Sequence, residues 1–184
     1  MKNVKALTDD ELVGLYAEGN NEAFDTLLNK YQSRLFSYIY YVVRNEDVAN
    51  DLFQETFLKA FLSLSDSHGN IRAWLYAVAR NLFYNHQKKA KKEVLSEDIS
   101  DAQLTEDILD QILQEEKLKT LYDGIRKLDN RKQEVLQLQY FGCLSQKEIA
   151  AVLHLTPEHV RILAYRARKE LKALMDKEYQ EERK

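Results

Sequence analysis

The chain has 184 residues, a formal net charge of −3 and 45% apolar side chains, which suits one domain or two small ones and excludes wholesale disorder. No apolar run approaches the roughly 20 residues of a membrane span, and no signal-peptide core precedes the first helix signal, so no membrane insertion is expected. A single cysteine, Cys143, excludes an intrachain disulfide framework and fits the reducing cytoplasm, and with four scattered histidines it makes no metal cluster; no cofactor is expected.

Five glycines and one proline among abundant helix formers predict an all-α protein. Thr8-Asp9-Asp10-Glu11 is a capping box with Leu7 and Leu12 as its staple, so a first helix starts near residue 9. Gly19-Asn20-Asn21 breaks it. A long second helix carries Phe24, Leu27, Leu28, Tyr31, Leu35 and Ile39 at helical spacing. Asn45 can cap a third, with Val48, Leu52, Thr56, Phe57 and Ala60 or Phe61 on one face. Residues 65–70 read as a loop, and a fourth helix follows to about residue 90. These four helices make a first domain, 1–92. Residues 93–117 read as an acidic linker, and a second domain spans 118–184.

Charge is unevenly spread. Residues 1–70 carry −5, 71–92 carry +6 with no acid at all, 93–130 carry −7, and 131–184 carry +3. A polyanion should therefore meet the chain at 71–92 and again near the carboxyl end.

Along the fourth helix, Ile71, Trp74, Leu75, Val78, Ala79 and Leu82 form the predicted packing stripe, which favours a core role for Trp74 over a base-stacking one. Arg72, Tyr76, Arg80, Phe83, Tyr84 and Gln87 lie opposite and run into Lys88-Lys89. Cations interleaved with aromatic rings suit single-stranded DNA, where rings stack on unpaired bases. Asn81, Asn85 and Gln87 add amides that can read base edges. The competing reading buries Tyr76 and Phe83 against another helix and leaves the lysines to complement the helix dipole.

At the start of the third helix, Asp47, Asn50, Asp51, Gln54 and Glu55 gather beside Leu52, Phe53 and Phe57. The acids suit a helix amino end, and the same face could dock a basic partner.

The sharpest pattern lies near the carboxyl end. Ser145-Gln146-Lys147-Glu148 is a second capping box, stapled by Leu144 and Ile149, opening a helix that ends at Leu153. After His154-Leu155, Thr156 caps another helix with Pro157 at its first position. Two short helices joined by a three-residue turn read as a helix-turn-helix, or as an ordinary helical hairpin. Val160, Leu163, Ala164, Ala167, Leu171 and Leu174 should pack inward. Glu158, Ile162, Tyr165, Lys169 and Lys172 face out, flanked by Arg161, Arg166 and Arg168. Glu158 could accept from a cytosine amino group, and Ile162 could touch a thymine methyl.

Three functions fit these residues: a factor that meets both parted and duplex DNA, another helix-turn-helix regulator that dimerises on palindromic sites, and a helical interaction protein with no DNA role. The chain contains no phosphate loop, metal spacing or nucleophile–base arrangement, so an enzyme is not expected.

Taken together, the segments resemble the sigma-70 family of RNA polymerase sigma factors. Asp51 to Phe61 (DLFQETFLKAF) resembles its second conserved region, and Arg72 to Asn81 (RAWLYAVARN) resembles its promoter-melting helix. Leu128 to Arg131 and Gln133 to Leu136 resemble the start of its fourth region, and Leu144 to Ala150 and Tyr165 to Lys169 resemble its helix-turn-helix. The short chain, without an intervening third domain, is similar to the extracytoplasmic-function (ECF) subgroup.

The resemblance implies that Asp51, Leu52, Gln54 and Glu55 dock on the clamp helices of the polymerase largest subunit. It implies −10 promoter contacts from Arg72, Tyr76, Arg80, Asn81, Phe83, Asn85, Lys88 and Lys89. It implies −35 contacts from Gln146, Lys147, Thr156, Glu158, His159, Arg161, Ile162, Tyr165, Arg166 and Lys169. The linker would thread toward the active-site channel, the second domain would meet the flap of the second-largest subunit, and an anti-sigma factor would hold the free chain inactive.

Some positions depart from the family pattern. His154 stands where the turn usually has glycine, and Ile162-Leu163 where small and basic residues are usual. Asp129-Asn130 replaces a proline-containing helix start and should cap equally well. The 65–70 loop is about two residues short, so −10 base specificity does not carry over.

Overall fold

A computed structural model describes residues 7–64, 70–94 and 116–181, with side chains at 91–94, 116–120 and 178–181 left aside. The 65–69 segment and most of the expected linker lie outside these residues. The chain divides into two compact units, Met1–Ala102 and Gln103–Lys184. The described residues are all helix, turn or coil, without a strand.

The first unit holds α1 (Asp9–Ala17), α2 (Asn21–Val43), α3 (Glu46–Ser63) and α4 (Ile71–Val94). Side-chain caps set each start. Thr8 Oγ1 accepts from Glu11 N, and Glu11 Oε2 accepts from Thr8 N at 2.9 Å, the predicted capping box. Asn20 caps α2, Asn45 Oδ1 accepts from Val48 N at 3.0 Å for α3, and Asn70 Oδ1 accepts from Ala73 N at 2.9 Å for α4. Arg44 turns left-handed to close α2, with φ 62°.

α2 packs against α1, α3 and α4, and α3 packs against α4. Leu12, Leu27, Leu35, Ile39, Leu64 and Leu75 fill this core beside buried tyrosines 31, 38, 40, 41 and 76. Asp9 accepts from both the Tyr31 hydroxyl and Lys30 Nζ, which fastens the start of α1 to the middle of α2. Burial, more than the neighbouring Glu46, pushes the Tyr40 hydroxyl above its ordinary pKa.

The second unit holds α5 (Glu116–Arg126), α6 (Asn130–Tyr140), α7 (Gln146–Leu153) and α8 (Pro157–Glu181). Both ends of the expected 93–117 linker are helical, since Glu93 and Val94 close α4 while Glu116 and Lys117 open α5. Asp129 caps α6 by accepting from Lys132 N at 3.1 Å, as the departure from a proline start predicted. Gln133 donates to the carbonyls of Arg126 and Leu128 at 2.8 and 2.7 Å, so one amide satisfies orphan acceptors at the end of α5.

Ile125, Val135, Leu136, Leu138, Ile149 and Val160 are sealed in the core of this unit. Gly124 lets α5 approach α8 closely: a Cβ there would stand 2.6 Å from Leu171 Cδ1. Two side-chain ties join α6 to α8. Lys132 Nζ lies 2.7 Å from Glu170 Oε2, and Arg168 Nη1 donates to Gln139 Oε1 at 3.2 Å.

Candidate polymerase and promoter interfaces

The predicted helix-turn-helix is present. Glu148 N donates to Ser145 Oγ at 3.3 Å, Ser145 N donates to Glu148 Oε2 at 2.7 Å, and Leu144 and Ile149 are buried as the staple. α7 ends at Leu153 because His154 adopts the left-handed conformation, φ 54° and ψ 46°. The His154 and Leu155 amides both return to the Ala150 carbonyl. The αL position costs an L-residue roughly 1–2 kcal/mol, and the turn retains it because that geometry redirects the chain into α8. Thr156 Oγ1 then accepts from His159 N at 3.2 Å, so its hydroxyl is occupied by the cap of α8.

Burial splits α8 as periodicity predicts. Val160, Ala164, Ala167 and Leu171 are buried, with Leu163 and Leu174 half-buried. Glu158, Arg161, Ile162, Tyr165, Arg166 and Lys169 are all exposed along one outer stripe. Gln146, Lys147, Thr156 and His159 are exposed nearby, at the starts of α7 and α8. Ile162 and Tyr165 expose 44% and 63% of their surface, an apolar strip bordered by cations. A cationic helix face with apolar contacts at its centre matches the major groove, where phosphates flank base edges and thymine methyls.

α4 differs from expectation in one respect. Its buried arc runs through Ile71, Ala73, Leu75, Tyr76, Ala79 and Leu82, whereas Trp74 and Val78 are only half-buried. The arc turns toward Ala73 and Tyr76 because α4 packs against both α2 and α3, not against one neighbour. Tyr76 is wholly buried, its ring 5.1 Å from that of Tyr38. It therefore cannot stack on a base, and its place among the −10 contacts is withdrawn.

The remaining predicted −10 residues reach the surface. Asn81, Asn85, Lys88 and Lys89 are exposed, while Arg72, Arg80 and Phe83 are half-buried. Half-buried Tyr84, absent from the predicted contacts, lies under the Arg80 guanidinium with 4.7 Å between carbon and ring centroid. The i, i+4 spacing of Arg80 and Tyr84 was the available signal for this pair.

On α3, Asp51, Gln54 and Glu55 are exposed, and Glu55 lies 3.7 Å from Lys59. Leu52 is 4% exposed and belongs to the core, so it is corrected from docking residue to support for its neighbours. The outer stripe continues instead through Leu58 and Leu62, which expose 58% and 68% of their surface. Their spacing from Asp51 and Glu55 along one helix face was the signal that could have found them.

Among the described residues, no group of three metal-binding side chains gathers and no helix is long and apolar enough to cross a membrane.

Comparison with known proteins follows the same division of the chain. Residues 27–93 match the family model for sigma-70 region 2, and residues 118–171 match that for sigma-70 region 4. The RNA polymerase sigma factor YlaC of Bacillus subtilis is 32% identical over 89% of this chain and 98% of its own length. The ECF RNA polymerase sigma factor SigM of the same organism is 28% identical over 83% of this chain and 95% of its own. Among solved structures, CnrH in complex with the cytosolic domain of CnrY superposes with a TM-score of 0.70 at 27% identity, covering 91% of this chain and 97% of CnrH. Two sigma regions in family order, carried on an all-helical chain with a helix-turn-helix, place this protein in the sigma-70 family as an ECF sigma factor, a non-catalytic initiation factor that directs RNA polymerase to promoters.

Proposed function

We propose that the two units divide the work of promoter recognition, with α8 reading the −35 element as duplex and α4 engaging the −10 element as it opens. The observation that carries the reading is the exposed stripe of α8, where Glu158, Ile162 and Tyr165 are flanked by Arg161, Arg166 and Lys169. Gln146, Lys147, Thr156 and His159 would border the same groove. In α4, Arg80, Asn81, Asn85, Lys88 and Lys89 would track and read the parted strand, with Arg72 and Phe83 at the margins of that surface. Support comes from a helix that carries six cations and no acid over residues 71–92.

Asp51, Gln54 and Glu55 dock on a basic helical element of the polymerase largest subunit, the clamp helices, with Leu58 and Leu62 as apolar anchors beside them. The second unit meets the flap of the second-largest subunit. An anti-sigma factor restrains the free chain; CnrH, similar in fold over 97% of its length, was solved with the cytosolic domain of CnrY. The site of action is the cytoplasm, where the polymerase works.

Purified chain added to core polymerase should start transcription at a subset of a random promoter library that core polymerase alone ignores. Failure to bind core polymerase at near-physiological salt would refute the docking assignment. Glu158→Ala should relax base preference at one −35 position more than it lowers affinity for all sequences. A uniform loss would mean that Glu158 reads no base.

A further inference from the structure

The two polar ties between α6 and α8 stand on opposite flanks of α8. At roughly 3.6 residues per turn, Ala167 and Leu171 share the buried face, while Arg168 falls to one side of it and Glu170 to the other, about 160° apart. Both reach the same neighbour. Arg168 Nη1 donates to Gln139 Oε1 at 3.2 Å near the carboxyl end of α6, and Lys132 Nζ donates to Glu170 Oε2 at 2.7 Å near its amino end. Lys132 Nζ also lies 2.6 Å from Asp129 Oδ2, so the second tie is rooted at the cap of α6. Apolar packing alone holds the rotation of α8 less firmly. Between Val160 and Leu171 its fully buried positions are Ala164 and Ala167, whose single methyl groups offer little to interlock against a roll about the helix axis.

Rotation is the freedom that base reading is most sensitive to. The exposed stripe of Glu158, Ile162 and Tyr165 lies opposite the buried face. At an outer helix radius of about 5–6 Å, a roll of about 20° moves those side-chain tips by about 2 Å, more than a hydrogen bond to a base edge tolerates. Long, flexible cations on phosphates can follow the same roll.

We propose that the Arg168–Gln139 and Lys132–Glu170 ties are positioning contacts for −35 recognition, fixing the roll of α8 so that its outer stripe meets the base edges in register. The proposal rests on the reading of α8 as the −35 surface. The four residues act through Glu158, Ile162 and Tyr165 and need not touch DNA themselves, so they govern discrimination between sequences more than affinity for all of them.

The test uses holoenzyme assembled from core polymerase and the full chain, with duplex promoters drawn from a random library: the preferred −35 sequence and a panel of its single-base changes, the −10 sequence held constant. Gln139→Leu and Lys132→Met, both on α6 and off the outer stripe, should each lower the preference for the best sequence over the panel about threefold. Mean affinity for the panel should stay within about twofold of the parent. Lys132→Arg, which keeps a cation for Glu170, should retain the parent's preference. Glu170→Ala added to Lys132→Met should lower it no further, since the two side chains act as one contact. Parent-like preference in both α6 variants, or a loss equal across all sequences, overturns the positioning role. A parent holoenzyme indifferent to the −35 sequence instead removes α8 from that element, and the proposal with it. Glu170→Ala alone remains decisive if Lys132→Met fails to fold, because Glu170 is exposed and alanine is a good helix former.

Discussion

Tyr76 and Tyr38 meet with ring centroids 5.1 Å apart and an interplanar angle of 54°, joining α4 to α2 out of reach of solvent. The pair makes the most aromatic stretch of α4 a structural seam on one side and a candidate strand-binding surface on the other.

Tyr76→Ala should therefore act through folding. Removing a fully buried ring costs about 3–5 kcal/mol, enough to unfold much of a small helical unit. Urea denaturation should show that loss, and polymerase binding should fall in parallel with promoter opening. Normal stability with a defect confined to −10 DNA would return Tyr76 to the interface.

Lys88→Ala with Lys89→Ala should weaken −10 strand binding without loss of stability, because both side chains are exposed. If each contacts one phosphate, the slope of log affinity against log salt should become shallower by about 1.4. An unchanged slope means that neither lysine meets the backbone.

His154→Gly should stabilise the second unit by about 0.5–1 kcal/mol, the relief of a left-handed L-residue less the added chain entropy of glycine. Thermal melting reads this directly. A destabilised variant would show that the His154 side chain contributes more than its backbone strain removes.

The side-chain hydrogen bond from Lys132, together with its backbone N–H, holds the Asp129 carboxyl below its ordinary pKa. A carboxyl depressed in the folded state lends stability that is present above its unfolded value and lost as pH falls through the folded one. Asp129→Asn keeps a capping oxygen but loses the charge. The parent should thus be the more stable near neutral pH, and the gap should close on acidification below about 4. Melting curves across pH 2–7 test this; a gap independent of pH would refute it.

Local signals were the most legible in the sequence. Capping at Thr8, Asn45, Asp129, Ser145 and Thr156 depends on residues within one helical turn, and all five starts fall where expected. The stripe of α8 was equally readable, because its packing face and outer face are each continuous. Leu52 was rightly put on the packing face of α3 by its spacing and made a docking residue only by the family resemblance. Tyr76 was misplaced for a different reason. How wide an arc of a helix is covered depends on how many neighbours it has, and α4 has two. Tyrosine also fits either surface, so its chemistry could not correct the geometry. The Lys132–Glu170 and Arg168–Gln139 ties span 38 and 29 residues and have no local signature at all. Arg168 in particular reads as another phosphate contact until its partner on α6 is seen.

The missing side chain at Gly124 acts as an index mark for α5. Sliding that helix by one position would bring Asp123 or Ile125 against Leu171, and either side chain would have to displace the Leu171 methyl that already stands 2.6 Å from where a Cβ would be. Alignment of α5 along α8 is thus favoured by an absence of volume at one position.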